Sequence, residues 1–223
     1  MGWNVVSEEL GEFIEILPPQ KRVGEHWYLG TADAVYQNLY SIVREGPSHV
    51  IILSGDHVYK MDYSKMLRFH LEHNADATLA SIEVPNAEAR RFGIVRIDEN
   101  ERVIGFEEKP TAPVPVPGAP DVALASMGIY IFRADVLMRA LEEDAARTDS
   151  QHDFGRNIIP QLIHSGPVYC YRFYDENKKA AKYWRDIGTL DAYFEASMDL
   201  CHVNPEFNLY DPEWPLRTYQ PQA

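Results

Sequence analysis

Two carboxylates 130 positions apart carry the strongest chemical signal in this chain. Asp56 stands in Ser54-Gly55-Asp56-His57, directly after an apolar run, and Asp186 stands in Tyr183-Trp184-Arg185-Asp186-Ile187-Gly188-Thr189. Each marks the point where a strand pattern gives way to a turn. Brought to one cleft, the pair could hold a hard divalent cation such as Mg2+ against phosphate oxygens, because Mg2+ keeps several waters and takes one or two carboxylates plus phosphate. Each also has a plain structural alternative. Asp56 could cap the following turn, and Asp186 could pair with the adjacent Arg185.

Lys109 is the third chemically suggestive residue. It follows Glu107 and Glu108 and precedes Pro110, so it ends a strand; it could be an ordinary solvated surface lysine, or, fixed there by the proline, it suits capture of a phosphate as a point charge. Gly30-Thr31-Ala32-Asp33-Ala34 opens a helix with small residues. Backbone N–H groups there could approach an anion closely, or the small side chains could simply allow tight packing. The eight histidines have no metal-ligand spacing, and no GxSxG or Cys/His arrangement marks a nucleophile. His57 reads as an ordinary hydrogen-bonded histidine or as an orienting partner of Asp56.

Composition narrows the partners. At 223 residues, 45% hydrophobic and 25% charged, the chain is long enough to bury a substantial core. Its net charge of -13 argues against affinity for nucleic acid or for anionic membranes. Cys170 and Cys201 form neither a disulfide framework nor a zinc knuckle. No apolar stretch is long enough to span a bilayer and no signal pattern opens the chain. A cytoplasmic setting is the expectation.

The elements that must position the candidate residues follow from periodicity. Val35, Leu39, Ile42 and Val43 predict one helical face, with Thr31 as N-cap. Val50–Leu53 reads as a strand covered on both faces in a parallel sheet. An amphipathic stretch around Met66, Leu67, His70 and Leu71 and a strand at Ala77–Val84 follow, so the alternation predicts a doubly wound α/β sheet with Asp56 beyond a strand's carboxyl end. Hairpin strands at Phe92–Ile97 and Arg102–Glu108, a proline-rich loop at Thr111–Pro120 that could act as a flap, and a strand at Ala125–Phe132 come next. A helix at Ala134–Arg147, a strand at Val168–Phe173, a polar loop at Asp175–Lys182 and a last helix after Thr189 complete the pattern.

Taken together, the motifs resemble the ADP-glucose pyrophosphorylases, the glucose-1-phosphate adenylyltransferases among the sugar nucleotidyltransferases of glycogen and starch synthesis. The resemblance rests on Trp27-Tyr28-Leu29-Gly30-Thr31-Ala32-Asp33-Ala34-Val35, Ser54 to Tyr63, Phe92-Gly93, Phe106-Glu107-Glu108-Lys109-Pro110, Ala125 to Tyr130, His152-Asp153-Phe154-Gly155 and Tyr183 to Thr189. These stand in the family's order and span nearly the whole chain. The resemblance implies a Rossmann-like mixed sheet of the nucleotide-diphospho-sugar transferase type, incomplete at the N-terminus. It implies that Tyr28, Gly93, Glu108, Lys109 and Ser126 line a glucose 1-phosphate pocket, with Lys109 on the phosphate and Glu108 on sugar hydroxyls. It further implies that Asp56 and Asp186 hold Mg2+, that Gly30, Thr31, Ala32 and Asp33 lie near the nucleotide, and that Asp56, Lys109 and Asp186 are catalytic. ATP and glucose 1-phosphate would give ADP-glucose and pyrophosphate, and full-length members would be homotetramers.

The family's pattern begins with a strand and a Gly-rich triphosphate loop that this sequence lacks, since Met1-Gly2-Trp3 already lies past that point. Residues 1–204 therefore read as a partial catalytic domain. Residues 205–223 read as a linker toward a left-handed β-helix, with Tyr210 to Leu216 carrying that likeness. The expectation is negligible transferase activity and marginal stability for this chain alone, with exposed apolar faces and strand edges. Two other readings stay open: a UTP- or dTTP-dependent sugar nucleotidyltransferase, and a non-catalytic sugar-phosphate-binding regulatory subunit. The WYxGTADA and HDFG motifs favour the adenylyl reading over the first of these.

Overall fold

The structure, a computed structural model, describes residues 12–18, 27–175, 180–181 and 183–210. Its frame is a six-stranded mixed sheet built around one long strand, β6 (Val122–Arg133). Along one edge β6 pairs antiparallel with β3 (Ala77–Pro85), which pairs in parallel with β7 (Val168–Arg172). Along its other edge it meets two strands in succession: β1 (His49–Ile52) at Tyr130–Arg133, and β4 (Gly93–Ile97) at Leu124–Ala125. β5 (Val103–Glu108) extends β4 as an antiparallel hairpin, and Glu108 lies opposite Gly93. The α/β class and mixed sheet match the sequence reading. One strand does not: β1 pairs antiparallel, and Ile51 and Leu53 are 40% and 46% exposed, so Val50–Leu53 is not an interior strand of a parallel sheet.

Side chains alternate across β6 and build a core on each face. Leu124 and Phe132 join Leu79, Leu137, Leu141 and Ile158 on one side, while Met127, Ile129 and Ile131 join Met66, Ile82 and Ile94 on the other. Each such burial contributes about 1.5–3 kcal/mol. Helices α4 (Ala134–Ala145) and α5 (Ile159–Ser165) cover the first face and α3 (Tyr63–Glu72) the second. α3 is capped by the Asp62 carboxylate, which accepts from the Ser64 N–H at 3.0 Å.

The helix predicted through Val43 is broken. α1 (Thr31–Tyr36) and α2 (Leu39–Glu45) are separated at Gln37–Asn38. Gly30, not Thr31, is the N-cap of α1, and the Thr31 hydroxyl instead donates to Asp153 at 2.9 Å. The expected strand, hairpin, loop and α4 assignments hold, and the proline-rich loop is pinned by Val116, whose N–H bonds to Val122 O. Two further short pairs form, β2 (His57–Tyr59) with β10 (Trp184–Asp186), and β8 (Tyr174–Asp175) with β9 (Ala180–Ala181). The last helix, α6 (Leu190–Asp199), starts as predicted, with the Thr189 hydroxyl accepting from Ala192 N–H. Met1-Gly2-Trp3, the 211–223 part of the expected linker and most of the loop after Asp175 lie outside the described residues.

Candidate active site

The cleft has a topological origin. Between the β1 and β4 pairings, Ser126–Ile129 have no strand partner on that edge of β6 among the described residues. Opposite, the register slips so that Met127, Gly128 and Ile129 face the single residue Ala80. Such a bulge bends the strand and re-aims its side chains. Gly128 supplies the turn with φ at +65°, a conformation that strains any L side chain. The gap opens into a cleft of about 450 Å3, walled by Ile52 of β1 with Leu53 and Ser54 after it, by Gly93 of β4, by Glu108 and Lys109 closing β5, and by Ser126 and Tyr130 of β6.

The two distant carboxylates meet at its rim. β10 lies against β2 with Asp186 opposite His57, and the Ile187 N–H donates to Asp56 O at 3.0 Å. A Cβ placed on Gly188 would sit 3.1 Å from Asp186 Oδ1 and 3.6 Å from Asp56 Oδ2. Arg185 does not neutralise Asp186. Its guanidinium bonds Asp199 at 3.1 Å, while Asp186 accepts only the Gly188 N–H among the described residues. Asp56 accepts from the Ser54 hydroxyl at 2.5 Å, which holds its carboxyl below the usual carboxylate range. His57 donates from Nδ1 to Met127 O at 2.8 Å, and its Nε2 lies 3.6 Å from Asp56. The histidine therefore ties the β2 ribbon to the β6 bulge; of the two carboxylates, Asp186 lines the cleft, and Asp56 lies beside it without being among the lining residues.

The far wall is built from glycines and a half-buried acid. Cβ atoms on Gly93 and Gly155 would lie 2.8 and 3.0 Å from Glu108 Oε2, so both positions must stay bare for that carboxylate to reach the cleft. Burial raises the Glu108 pKa and nearby Asp153 adds to this, while Lys109 and Arg156 oppose it. Lys109 itself sits at φ +50°, and its N–H bonds Phe92 O at 3.1 Å. Its ammonium forms no ion pair with any described residue, although the chain carries 34 acidic residues. Ser126 Oγ lies 3.4 Å from the buried Tyr130 hydroxyl.

Not every expected residue reaches this space. Thr31 lines the cleft, but Gly30 abuts the backbone of Gln151 and His152, and the N–H groups of Ala32 and Asp33 both donate to His152 O. The Asp33 carboxylate is taken by Leu29 N–H and the Gln37 amide. Two of the amides expected to be open at this helix start, those of Ala32 and Asp33, are thus already bonded. Tyr28 is held by Asn38 through its hydroxyl at 3.0 Å and is not among the cleft-lining residues.

Sequence reasoning gave no site role to Arg91, Tyr130, Asp153 or Trp184, the last three quoted only within motifs, and all four line the cleft. Asp153 was visible only within a motif; in the fold its carboxylate caps the helical turn Phe154–Ile158 through the Gly155 and Arg156 N–H groups, and receives the Thr31 hydroxyl. Its neighbour His152 is anchored by the buried Asp144 at 2.8 Å. No periodicity signals that role.

Comparison with known proteins agrees with this architecture. The family model described as nucleotidyl transferase matches residues 5–203. A glucose-1-phosphate adenylyltransferase of Koribacter versatilis is 56% identical over 223 residues, covering 99% of this chain and 54% of that protein. Enzymes of the same name from Rhodopirellula baltica and Methylococcus capsulatus are each 52% identical, covering 98% and 100% of this chain and 49% and 52% of their own lengths. The chain spans about half the length of the curated relatives it matches. With the family match running across both carboxylates, the bulged strand and the Glu108–Lys109 wall, this chain belongs to the nucleotidyl transferase family.

Proposed function

We propose that this chain carries the sugar-phosphate side of a glucose-1-phosphate adenylyltransferase site. The observation that carries the reading is the convergence on one cleft of Lys109, which forms no ion pair among the described residues, the half-buried Glu108, Ser126 and Asp186, with the Asp56 carboxylate beside that of Asp186. Lys109 would take the phosphate of glucose 1-phosphate, and Glu108, with Ser126 and Gly93, would take sugar hydroxyls. In the reaction, a phosphate oxygen of glucose 1-phosphate forms a bond to the α-phosphorus of ATP while the bond from that phosphorus to the β-phosphate oxygen breaks. ADP-glucose forms and pyrophosphate leaves. The nucleophile is already ionised at pH 7, so no general base is needed, and the residues position and neutralise charge.

Asp56 and Asp186 suit Mg2+, being two hard oxygen donors, open to solvent, with no cation paired to Asp186 among the described residues. When bound, Mg2+ would supply charge neutralisation for the phosphates. A cytoplasmic setting belongs to the same proposal and is consistent with the finding that no described helix is long and apolar enough to cross a membrane. So does homotetramer formation by the full-length protein.

One observation favours a second reading, a sugar-phosphate-binding regulatory subunit: the α1 amides that would face a nucleotide are bonded to His152. Calorimetry with glucose 1-phosphate and, separately, with ATP plus Mg2+ tests the sugar-phosphate site that both readings share. Binding of glucose 1-phosphate without ATP is expected, and added ATP binding would favour the transferase over the subunit. Failure to bind glucose 1-phosphate removes both.

A further inference from the structure

Arg91 is a charged residue of the cleft that no role so far explains. It ends the 3-10 turn Ala89–Arg91 immediately before Phe92 and Gly93, and Lys109 lies across the same hairpin mouth, its N–H bonded to Phe92 O. Gly93 pairs with Glu108, so Arg91 and Lys109 flank one hairpin end from its two strands. Both line the cleft, and Arg91 also lines a smaller cavity of about 290 Å3 that adjoins it at Asp186 and Trp184. Neither cation makes an ion pair with a described residue. Glu88, one turn back, and Asp186 both fall beyond pairing distance. The Arg91 guanidinium lies 5.9 Å from the centre of the Phe92 ring, and the Arg91 N–H bonds Glu88 O at 3.1 Å.

Two like charges at one cleft mouth repel, and in a chain of net charge -13 each could readily have met a carboxylate. Left open, they suit an anion with more than one negative charge. A guanidinium offers a planar fork that can engage two phosphate oxygens at once, while an ammonium acts as a point charge. We propose that Arg91 is a second phosphate-binding residue, sharing with Lys109 the doubly charged phosphate of the sugar ester. The sugar part of this statement rests on the proposed function; the phosphate part does not.

The test is calorimetry of this chain and of Arg91→Ala, Arg91→Lys, Arg90→Ala and Lys109→Ala, each with glucose 1-phosphate and with inorganic phosphate. Arg90 is an exposed neighbour outside the cleft lining, so its loss removes the same charge without the contact. Expected is about a tenfold loss of affinity for both ligands in Arg91→Ala, a smaller loss in Arg91→Lys, and a change under twofold in Arg90→Ala. Raising salt should shrink the Arg91 effect. Binding by Arg91→Ala within twofold of the unsubstituted chain, with loss in Lys109→Ala, overturns the Arg91 role and leaves the proposed function standing. Equal affinity for glucose 1-phosphate and inorganic phosphate, with the Arg91 effect present, keeps the phosphate role and overturns the sugar reading. Failure of the unsubstituted chain to bind either ligand overturns both.

Discussion

At the scale of single residues, the account turns on charges left open in the cleft. Lys109→Ala should weaken glucose 1-phosphate binding by about ten- to a hundredfold, since a hydrogen bond to a charged group contributes about 1.5–3 kcal/mol. The change should leave the melting temperature nearly unaltered, because the Lys109 ammonium forms no ion pair among the described residues; calorimetry and thermal unfolding check both halves. Gly93→Ala should act differently, as its methyl group would meet Phe106 and Glu108. Crowding there should cost about 1–3 kcal/mol of stability and displace the acid from the cleft. A variant with unchanged melting temperature and sugar-phosphate affinity would contradict the glycine argument.

A buried histidine gives a pH prediction at the same scale. His70 is 1% exposed, bonds the Thr78 hydroxyl at 2.8 Å and has no hydrogen-bond partner for Nε2 among the described residues. Burial pushes its pKa down to about 4, with His49 and Arg133 adding to the shift. In the unfolded chain an ordinary histidine protonates near 6.5, so the unfolded state takes up the proton first as pH falls. No penalty exists above about 6.5; it grows as pH drops toward 4 and reaches about 3 kcal/mol there. The melting temperature should fall through that window, and His70→Gln should flatten that part of the fall. An identical pH profile in the variant would refute the assignment.

At the scale of elements, periodicity found most of the strands and helices because alternation along β3, β4 and β6 reflects two real cores. Partner choice was less legible. Val50–Leu53 is as apolar as an interior strand, yet its residues line a cleft and an edge, and an apolar run does not record which. The split of β6 between β1 and β4 was also hidden, since one bulge made by Gly128 creates it and an isolated glycine carries many meanings. Thr31 misled as a cap because its hydroxyl serves a residue more than a hundred positions away. Gly128→Ala should therefore cost stability, by about 1–2 kcal/mol from the left-handed backbone, and should lower sugar-phosphate affinity by moving Ser126. Stability loss without any affinity loss would show that the bulge does not shape the site.

For the whole molecule, the convergence of Asp56 and Asp186 follows from the ribbon of β2 and β10, which the two strand-to-turn patterns foreshadowed without stating their proximity. The expectation of exposed apolar surface also has a counterpart: Leu190, Tyr193 and Phe194 on α6 are 86%, 59% and 63% exposed. A patch of that kind favours association. Sedimentation at rising concentration should show self-association, reduced by Leu190→Lys with Phe194→Lys; unchanged association would place its cause elsewhere.

The most direct measurement is a crystal structure of the chain soaked with glucose 1-phosphate and Mn2+, a substitute for Mg2+ visible by its anomalous signal. The account predicts phosphate density within hydrogen-bonding reach of Lys109 Nζ and one anomalous peak between the Asp56 and Asp186 carboxylates. Phosphate bound away from Lys109, or a metal peak that touches neither carboxylate, would contradict it.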